Sequence, residues 1–278
     1  MYLIKDKVNL NSTVTMMEIE AKEIAQNALP GQFVILKSGI LGERVPLTIF
    51  DNDNDSIKVI FQIVGSSTMK LNSLNKGDYI DSVVGPLGEA TDLTNLTKAI
   101  VVGGGVGCAI AFPIVKALHK QGVHTTSIVG FRSKDLVILE DEFSNNSDEF
   151  ILLTDDGSYG RKGLVTTALK ELLEKGTYDK VIAIGPLPMM KYVCLTTKEF
   201  NTKTIVSMNS IMVDGTGMCG GCRVIVDGKQ KFACVDGPDF DGHLVDFDIA
   251  MKRNGIYKSI EHHKYEQTCN LFKGDNNE

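Results

Sequence analysis

The sequence has no apolar run long enough to cross a membrane and no run of basic residues. A transmembrane helix needs about 20 consecutive apolar residues, and the first residues, MYLIKDKVNLNS, also lack the apolar core of a signal peptide. The net charge is −6, with acidic and basic residues interspersed, which argues against a nucleic-acid partner. We therefore expect a cytoplasmic protein that binds neither membranes nor nucleic acids.

Cysteines are too few for a disulfide scaffold, since the 278 residues contain only six. Three of them lie close together towards the C-terminus, a pattern that fits metal ligands in a reducing compartment. The other three, Cys108, Cys194 and Cys269, lie in apolar or tail sequence. We expect these three to be packing residues.

The N-terminal part of the chain is predicted to be β structure. The whole chain is 43% apolar, enough for about two domains with their own cores. Ile57, Val59, Phe61 and Ile63 recur at alternate positions, as in a strand with one buried face. Short segments of this kind between glycine-containing turns are typical of a small antiparallel barrel, which we expect over residues 1–97.

The pattern changes near residue 98, where predicted strands begin to alternate with predicted helices. Strands are expected at 99–102, 125–129, 151–153, 181–184 and 204–207. Helices are expected after Gly107, at 164–175 and at 188–200. This alternation predicts a doubly wound parallel sheet with helices on both faces, over residues 98–206.

A glycine-rich turn joins the first of these strands to its helix. It consists of Gly103, Gly104, Gly105, Val106 and Gly107. Glycines let phosphates approach the backbone, and a helix N-terminus supplies N–H donors, so this is the context of a pyrophosphate site. The alternative is a tight strand-to-helix turn that binds no ligand.

Two later loops also follow predicted strand ends, where open α/β sheets bind ligands. One contains Asp155, Asp156 and Gly157, and the other contains Gly185 and Pro186. These loops support a dinucleotide site. No acidic residue occupies an unambiguous ribose position, so the sequence leaves the choice between NAD and NADP open.

The barrel region contains a candidate phosphate-binding strand with the sequence RVPLT, residues 44–48. Arg44 can hold a diphosphate through forked, charge-assisted hydrogen bonds. Thr48 can donate to a ring nitrogen and is our candidate catalytic residue. The small-residue turn GSST, residues 65–68, can bond a second phosphate oxygen. Alternatively, Arg44 is a solvated arginine at a strand edge.

The stretch DGTGMCGGCRVIVDGKQKFAC is the most informative part of the sequence. Asp214, Cys219, Cys222 and Cys234 have the spacing D-x4-C-x2-C-x11-C. Ferredoxin-type [2Fe–2S] loops have C-x4-C-x2-C and a more distant cysteine, which puts Asp214 at the first ligand position. A structural zinc site is the alternative, because C-x2-C is also a zinc spacing. We expect a cluster-binding region over 207–245 and a helical tail over 246–278.

These three parts together resemble a known family. A flavin barrel with R-x-P-[LI]-[ST], a nicotinamide domain with GGGVG and a C-terminal [2Fe–2S] loop form the layout of dihydroorotate dehydrogenase electron-transfer subunits, in the ferredoxin-reductase superfamily. The strings VDGTGMCGGCRV and FACVDGPDFDGHLVDFD are similar to the small subunits of NADH-dependent ferredoxin:NADP⁺ oxidoreductases, electron-bifurcating enzymes of anaerobes. The same subunit type occurs in sulfide dehydrogenases. Where the dihydroorotate subunits have a first cysteine ligand, this chain has Asp214.

The resemblance implies three cofactors, FAD, NAD(H) and a [2Fe–2S] cluster, in an N-terminal FAD-binding β-barrel, a doubly wound NAD-binding domain and a C-terminal cluster loop. The implied FAD-binding residues are Arg44, Pro46, Leu47, Thr48, Gln62, Val64, Gly65, Ser67 and Thr68. The implied NAD(H) site is bordered by Gly103, Gly104, Gly105, Val106, Gly107, Asp155, Asp156, Gly157, Gly185 and Pro186. Pro46 replaces the tyrosine that follows the flavin arginine in plant-type reductases.

The implied activity is electron transfer between NADH, FAD and the cluster. From there electrons pass to a larger partner subunit, which carries a flavin, [4Fe–4S] clusters and the NADP site, and through that heteromer to ferredoxin. One alternative is an electron-transfer subunit of a sulfide or dihydroorotate dehydrogenase, and another is a non-catalytic redox sensor or carrier. Asp214 favours the first assignment over the dihydroorotate version. We expect the cluster loop and the tail after Asp241 to lie at the partner interface.

Overall fold

The computed structural model describes residues 1–39, 42–261 and 263–265. The first sheet is built from seven strands, β1 (Tyr2–Asn9), β2 (Val14–Glu20), β3 (Phe33–Lys37), β4 (Arg44–Asn52), β5 (Ser56–Gln62), β6 (Tyr79–Ile80) and β7 (Ser82–Leu87). Two short helices accompany it, α1 (Lys22–Asn27) and α2 (Ser66–Ser73).

This first sheet is antiparallel, in the order β6-β1-β2-β5-β4-β3-β7. It curls around a core that includes Ile4 and Phe61. The predicted antiparallel barrel is confirmed as a curled, open sheet whose edges are β6 and β7. In β5, Ile57 and Val59 face this core as the alternation predicts. Ile60 is buried too, because the opposite face of the strand packs against the rest of the protein.

The remaining elements follow in chain order. Residues 98–207 contain β8 (Lys98–Gly104), α3 (Gly107–Lys120), β9 (His124–Phe131), a short 3₁₀ helix (Lys134–Leu136), α4 (Glu140–Asn145), β10 (Glu149–Thr154), β11 (Arg161–Lys162), α5 (Val165–Lys175), β12 (Lys180–Ile184), α6 (Leu187–Glu199) and β13 (Thr204–Ser207). The C-terminal part contains the hairpin β14 (Arg223–Val226) and β15 (Lys229–Phe232), then β16 (Asp239–Asp241) and α7 (Phe247–Asn254).

The second sheet has the order β11-β10-β9-β8-β12-β13-β16. All its pairings are parallel except that between β13 and β16. The central strand β8 is buried on both faces. Val101 packs on the side of α3 and α4, whereas Ile100 and Val102 pack on the side of α5 and α6. The predicted doubly wound parallel sheet is therefore confirmed.

The C-terminal region joins this sheet through β16, in which Asp239 lies opposite Ser207. Cys222 and Cys234 belong to the same buried cluster as α5 and α6. The predicted domains, 1–97, 98–206, 207–245 and 246–278, stay predictions, and β16 shows that the third of them adds a strand to the second. Cys108 and Cys194 are buried as predicted, whereas Cys269 lies outside the described residues.

Direct contacts fix the two sheets against each other. The ring of Phe50 on β4 stacks on that of Phe112 on α3, with centroids 5.4 Å apart. Beside this pair, Lys116 Nζ donates to Asp51 Oδ1 at 2.7 Å. Among the residues that the structure describes, no helix combines the length and the apolar character needed to cross a membrane.

Candidate functional site

A cavity of about 480 Å³ lies where the two sheets meet. Gln62, at the end of β5, lines it from the first sheet. Gly104–Gly107, Asp155, Gly185 and Pro186 line it from the loops after β8, β10 and β12. The carboxyl ends of three parallel strands thus meet at one cavity, the position at which open α/β sheets bind ligands. The structure brings the three predicted nucleotide loops together.

Two glycines of the first turn have different roles. Gly105 has a φ of +55°, and a Cβ added there would meet no atom within 4 Å. A Cβ on Gly107 would lie 2.6 Å from the carbonyl oxygen of Ile184. Gly107 is therefore required for close packing of α3 against β12. Gly105 is the position at which a ligand can approach the backbone.

Part of the predicted dinucleotide set lies outside the cavity lining. Gly103 packs against Cys108, whose Sγ would be 2.9 Å from an added Cβ. The Asp156 carboxylate accepts hydrogen bonds from the Ser158 hydroxyl at 2.7 Å and from its backbone N–H at 2.9 Å. These bonds lower the pKa of Asp156. Asp156 and Gly157 thus shape the turn beside the cavity.

Arg132 is a cavity residue that the sequence did not point to. It follows β9 directly, is exposed and lines the same cavity as Gly105. A guanidinium can neutralise a phosphate and bond it with a planar fork of donors. A basic residue directly after a parallel strand is the signal that could have found it. Asn209 and Asn254 also line the cavity, from the C-terminal region.

The predicted flavin strand is β4. Arg44 begins it and is exposed. Its Nη1 lies 3.5 Å from the carbonyl oxygen of Val213, next to the segment 214–234 that carries the three clustered cysteines, here called the cysteine loop. Pro46, Leu47 and Thr48 follow, each half-buried and paired with β3. Arg44, the predicted phosphate-binding cation, and Thr48, the predicted catalytic residue, are four positions apart in this strand and therefore lie on the same face of the sheet.

The second predicted flavin segment is the start of α2. Thr68 Oγ1 accepts hydrogen bonds from the backbone N–H groups of Val64 at 3.0 Å and Gly65 at 3.1 Å, and it donates to the carbonyl of Gly65. The Thr68 side chain thus closes the turn that precedes the helix. Its hydroxyl oxygen accepts from the backbone of Val64 and Gly65 and so links these two residues to the first turn of α2.

Glu43 connects the two flavin segments. The Ser67 hydroxyl donates to its carboxylate, and Lys264 Nζ donates to its Oε1 at 2.6 Å. These two contacts, that with Lys264 first, lower the pKa of Glu43. Because Glu43 precedes Arg44, these contacts hold the start of β4 beside the start of α2.

The cysteine loop contains one close sulfur pair. Cys222 and Cys234 are 1% and 2% exposed, and their Sγ atoms lie 3.1 Å apart. Burial, together with the neighbouring Cys222, raises the pKa of Cys234 to about 12. Two thiols that are twelve residues apart in sequence therefore lie in contact with each other in the buried part of the loop.

Asp214 and Cys219 form the outer part of the loop. Asp214 Oδ1 accepts from the backbone N–H of Thr216 and Oδ2 from that of Cys219, both at 2.8 Å. These hydrogen bonds, that from Thr216 first, lower the pKa of Asp214. Cys219 is exposed, and its Sγ accepts from the N–H of Gly221 at 3.4 Å.

Within the described part of the chain, no three Cys, His, Asp or Glu side chains converge as a metal site. The structure assembles the Cys222–Cys234 pair and places Asp214 and Cys219 on the same loop, turned to backbone N–H groups. Three thiols and one carboxylate, with Asp214, Cys219 and Cys222 on the glycine-rich loop and Cys234 just after the β14–β15 hairpin, fit a cluster with four protein ligands in number.

The cysteine loop packs directly on the first sheet. Gly215 has a φ of +77°, and a Cβ there would lie 2.7 Å from Cδ1 of both Ile35 and Leu87. Ile35 is paired with Pro46 across β3 and β4. The loop that carries Asp214 therefore contacts the sheet that carries the predicted flavin strand.

Comparison with known proteins places these features in one family. Residues 209–246 match the iron–sulfur cluster binding domain of dihydroorotate dehydrogenase B. The chain is 44% identical to the dihydroorotate dehydrogenase B (NAD⁺) electron transfer subunit homolog of Thermotoga maritima, over 95% of this chain and 94% of the relative. It is 32% identical to the corresponding electron transfer subunit of Fusobacterium nucleatum, over 84% and 93% of the two chains.

A solved structure matches equally well. It comes from a study of flavin-based electron bifurcation by the NADH-dependent reduced ferredoxin-NADP oxidoreductase, with 42% identity, a TM-score of 0.91, and coverage of 96% of this chain and 97% of that one. The resemblance seen in the sequence is confirmed. The chain belongs to the family of dihydroorotate dehydrogenase B electron-transfer subunits and their homologues, oxidoreductase subunits with a ferredoxin-reductase-like fold.

Proposed function

We propose that the chain is the NADH- and FAD-binding electron-transfer subunit of an electron-bifurcating, NADH-dependent reduced ferredoxin:NADP⁺ oxidoreductase. One observation carries the proposal. The first sheet contacts the cysteine loop through Ile35 and Leu87 and lines the nucleotide cavity through Gln62. A flavin held by this sheet has a dinucleotide site and a candidate cluster as immediate neighbours. The 42% identical solved structure supports this assignment.

The cavity between the sheets is the proposed NAD(H) site. The open space over Gly105 admits the diphosphate to the backbone, and the N-terminus of α3 supplies positive potential. Arg132 adds a full positive charge on the same wall. Asp155 and Gly185 border the remainder of the dinucleotide.

The strand β4 and the start of α2 form the proposed FAD site. Arg44 neutralises the diphosphate, Ser67 and Thr68 lie at the adjoining turn, and Thr48 donates to the flavin ring. When bound, FAD supplies the conversion of a two-electron donor, NADH, into single electrons for the iron–sulfur centre. The chain's own task is to orient the two nucleotides and to balance their charges.

Asp214, Cys219, Cys222 and Cys234 are the proposed ligands of a [2Fe–2S] cluster. The Cys222–Cys234 pair is buried at the base of the loop, whereas Cys219 is exposed at its outer side. A cluster held by these residues would lie close to the first sheet, which the loop contacts at Gly215, and close to the surface, where Cys219 is exposed. Electrons can leave the subunit through that surface.

An apolar surface surrounds the exposed side of the loop. Met218 is 88% exposed, Val213 is 52% exposed and Val235 is 42% exposed. Large exposed apolar side chains grouped around a functional loop are typical of protein interfaces. We propose that the larger subunit binds to this apolar surface and that it contributes a second flavin, [4Fe–4S] clusters and the NADP site. The interface would be obligate and bury roughly 2,000 Å² or more.

A second candidate function is electron transfer for a dihydroorotate dehydrogenase, the enzyme named for the curated relatives. Asp214 at the first ligand position favours the bifurcating enzyme. Isolation of the native complex separates the two. The proposal expects NADP⁺ reduction that requires both NADH and reduced ferredoxin, and only dye reduction by the isolated chain. NAD⁺ reduction driven by dihydroorotate or sulfide, with no ferredoxin requirement, would overturn it.

A further inference from the structure

Arg253 contacts the cysteine loop from a helix outside it. It lies in the last turn of α7, and its Nη2 donates to the carbonyl oxygen of Gly221 at 3.2 Å. The contact is partly buried and joins residues 32 positions apart in sequence. The CxxC turn is therefore held from outside by a charged hydrogen bond.

Gly221 occupies a special position in that turn, between Cys219 and Cys222. Its own N–H donates to Cys219 Sγ at 3.4 Å. Its carbonyl group belongs to the peptide unit whose N–H is that of Cys222. A guanidinium on this carbonyl polarises the peptide unit, which makes the Cys222 N–H a stronger donor and fixes the orientation of the unit.

The helix that carries Arg253 is firmly held. Asp246 Oδ1 accepts from the backbone N–H of Ile249 at 2.9 Å and caps its N-terminus. Phe247 and Ala250 are buried in the same core as Cys222 and Cys234. The Arg253 guanidinium is thus presented by a packed helix, whose position relative to the buried cysteine pair is fixed.

We propose that Arg253 is a positioning residue for the [2Fe–2S] cluster, an inference that rests on the function proposed above. Arg253 orients the 221–222 peptide and places a positive charge beside the CxxC turn. Because the reduced cluster carries one more negative charge than the oxidised one, this charge favours reduction and raises the reduction potential. Outer residues of this kind tune a metal centre without binding it.

The competing explanation is that Arg253 serves only the end of α7, where basic residues interact favourably with the helix dipole. Lys252 provides the matched control. It lies in the same last turn, it is exposed, and its replacement by alanine removes the same formal charge.

The experiment compares Arg253→Ala, Arg253→Lys and Lys252→Ala in the full chain purified without oxygen. In Arg253→Ala we expect unchanged iron and sulfide content, a shifted EPR spectrum of the reduced cluster and a more negative midpoint potential. Arg253→Lys, which keeps the charge, stays closer to wild type, and Lys252→Ala matches wild type. Equal spectra and potentials for Arg253→Ala and Lys252→Ala would overturn the proposal.

A second measurement uses iron-free protein and separates this proposal from the proposed function. Loss of a charge-assisted hydrogen bond accelerates amide hydrogen exchange of the 219–223 segment about tenfold in Arg253→Ala, but not in Lys252→Ala. Equal exchange in the two variants would contradict the positioning role even if the wild type binds a cluster. If wild type binds no iron but exchange of this segment is still faster in Arg253→Ala than in wild type, the positioning of the turn is supported and the cluster is rejected.

Discussion

The Sγ atoms of Cys222 and Cys234 lie 3.1 Å apart and are buried, whereas Cys219, three residues before Cys222, is exposed. On the outer side, Asp214 Oδ2 accepts from the Cys219 backbone N–H at 2.8 Å. The four proposed ligands thus form two pairs, one anchored in the core and one at the surface. The unusual carboxylate belongs to the surface pair.

Replacement of Asp214 by cysteine tests whether the carboxylate is a ligand. Asp214→Cys should keep iron and sulfide at wild-type levels, because ferredoxin-type loops have cysteine at this position. The EPR spectrum and the potential should change, since thiolate is a softer and stronger donor than carboxylate. Asp141→Cys, on an exposed position of α4, controls for an added thiol. A spectrum identical to wild type in Asp214→Cys would exclude Asp214 as a ligand.

Replacement of Arg44 by alanine tests the flavin site. A charge-assisted contact to the diphosphate is worth about 1.5–3 kcal/mol, so FAD should bind roughly 10- to 150-fold more weakly. Iron content should stay unchanged. Lys37 lies directly opposite Arg44 in β3, and Lys37→Ala removes a neighbouring positive charge as a control. Full FAD occupancy with unaltered affinity in Arg44→Ala, or equal losses in both variants, would reject the assignment.

Gly105→Val tests the dinucleotide turn. Gly105 and Gly122 both have positive φ, and a Cβ at either would meet no protein atom within 4 Å. The backbone strain of the substitution, about 1–2 kcal/mol, is therefore similar at the two positions. Gly105→Val should weaken NADH binding, measured by anaerobic flavin reduction, and leave FAD bound. Gly122→Val, which lies beyond the other end of α3, should not. A similar NADH affinity for the two variants contradicts the site.

Asp239 predicts a dependence of stability on pH. The Thr91 hydroxyl donates to its Oδ2 at 2.6 Å, and its Oδ1 is shielded from solvent. Burial raises the pKa of this carboxyl, so the folded chain binds the proton more tightly than the unfolded chain. Stability is therefore lost as the pH rises from the unfolded value of 3.8 through the raised folded pKa.

Asp239→Asn abolishes this titration. We expect urea unfolding to show that the free energy of unfolding of Asp239→Asn, measured relative to that of wild type, is higher at about pH 8 than at about pH 5. Asp227→Asn, at an exposed carboxyl in the β14–β15 turn, is the control for the loss of one carboxylate. The comparison is the free energy of unfolding of Asp239→Asn minus that of wild type. If this difference stays constant or falls as the pH rises, ionisation of Asp239 does not destabilise the folded protein.

Much of the fold follows from local patterns in the sequence. The continuous apolar segment before Gly103 is β8, because a strand buried on both faces has no polar side. The glycine turn and the loops at Asp155 and Gly185 were found because parallel strands expose their carboxyl ends together. The cysteine spacing pointed to the matched iron–sulfur domain, since ligand geometry constrains sequence spacing directly.

The features that the sequence did not give are contacts between distant segments. The strand β16 pairs with β13 although 31 residues, 208–238, separate the two strands in sequence. With only three residues, β16 is too short to show an alternation of apolar and polar positions. The Glu43 contacts with Ser67 and Lys264 join three separate segments. Arg132 and Arg253 are single basic residues, whose roles depend on what the fold places beside them.

Anaerobic titration of the purified chain with NADH, followed by absorbance and EPR alongside iron, zinc and sulfide analysis, tests whether electrons pass from NADH through the flavin to a cluster. We expect two irons and two acid-labile sulfides per chain, bleaching of the flavin by NADH and the EPR signal of a reduced [2Fe–2S] cluster. Faster flavin reduction by NADPH than by NADH would correct the nucleotide assignment. One zinc and no iron per chain, or a cluster that stays oxidised after the flavin is reduced, would contradict electron transfer from NADH to a [2Fe–2S] cluster.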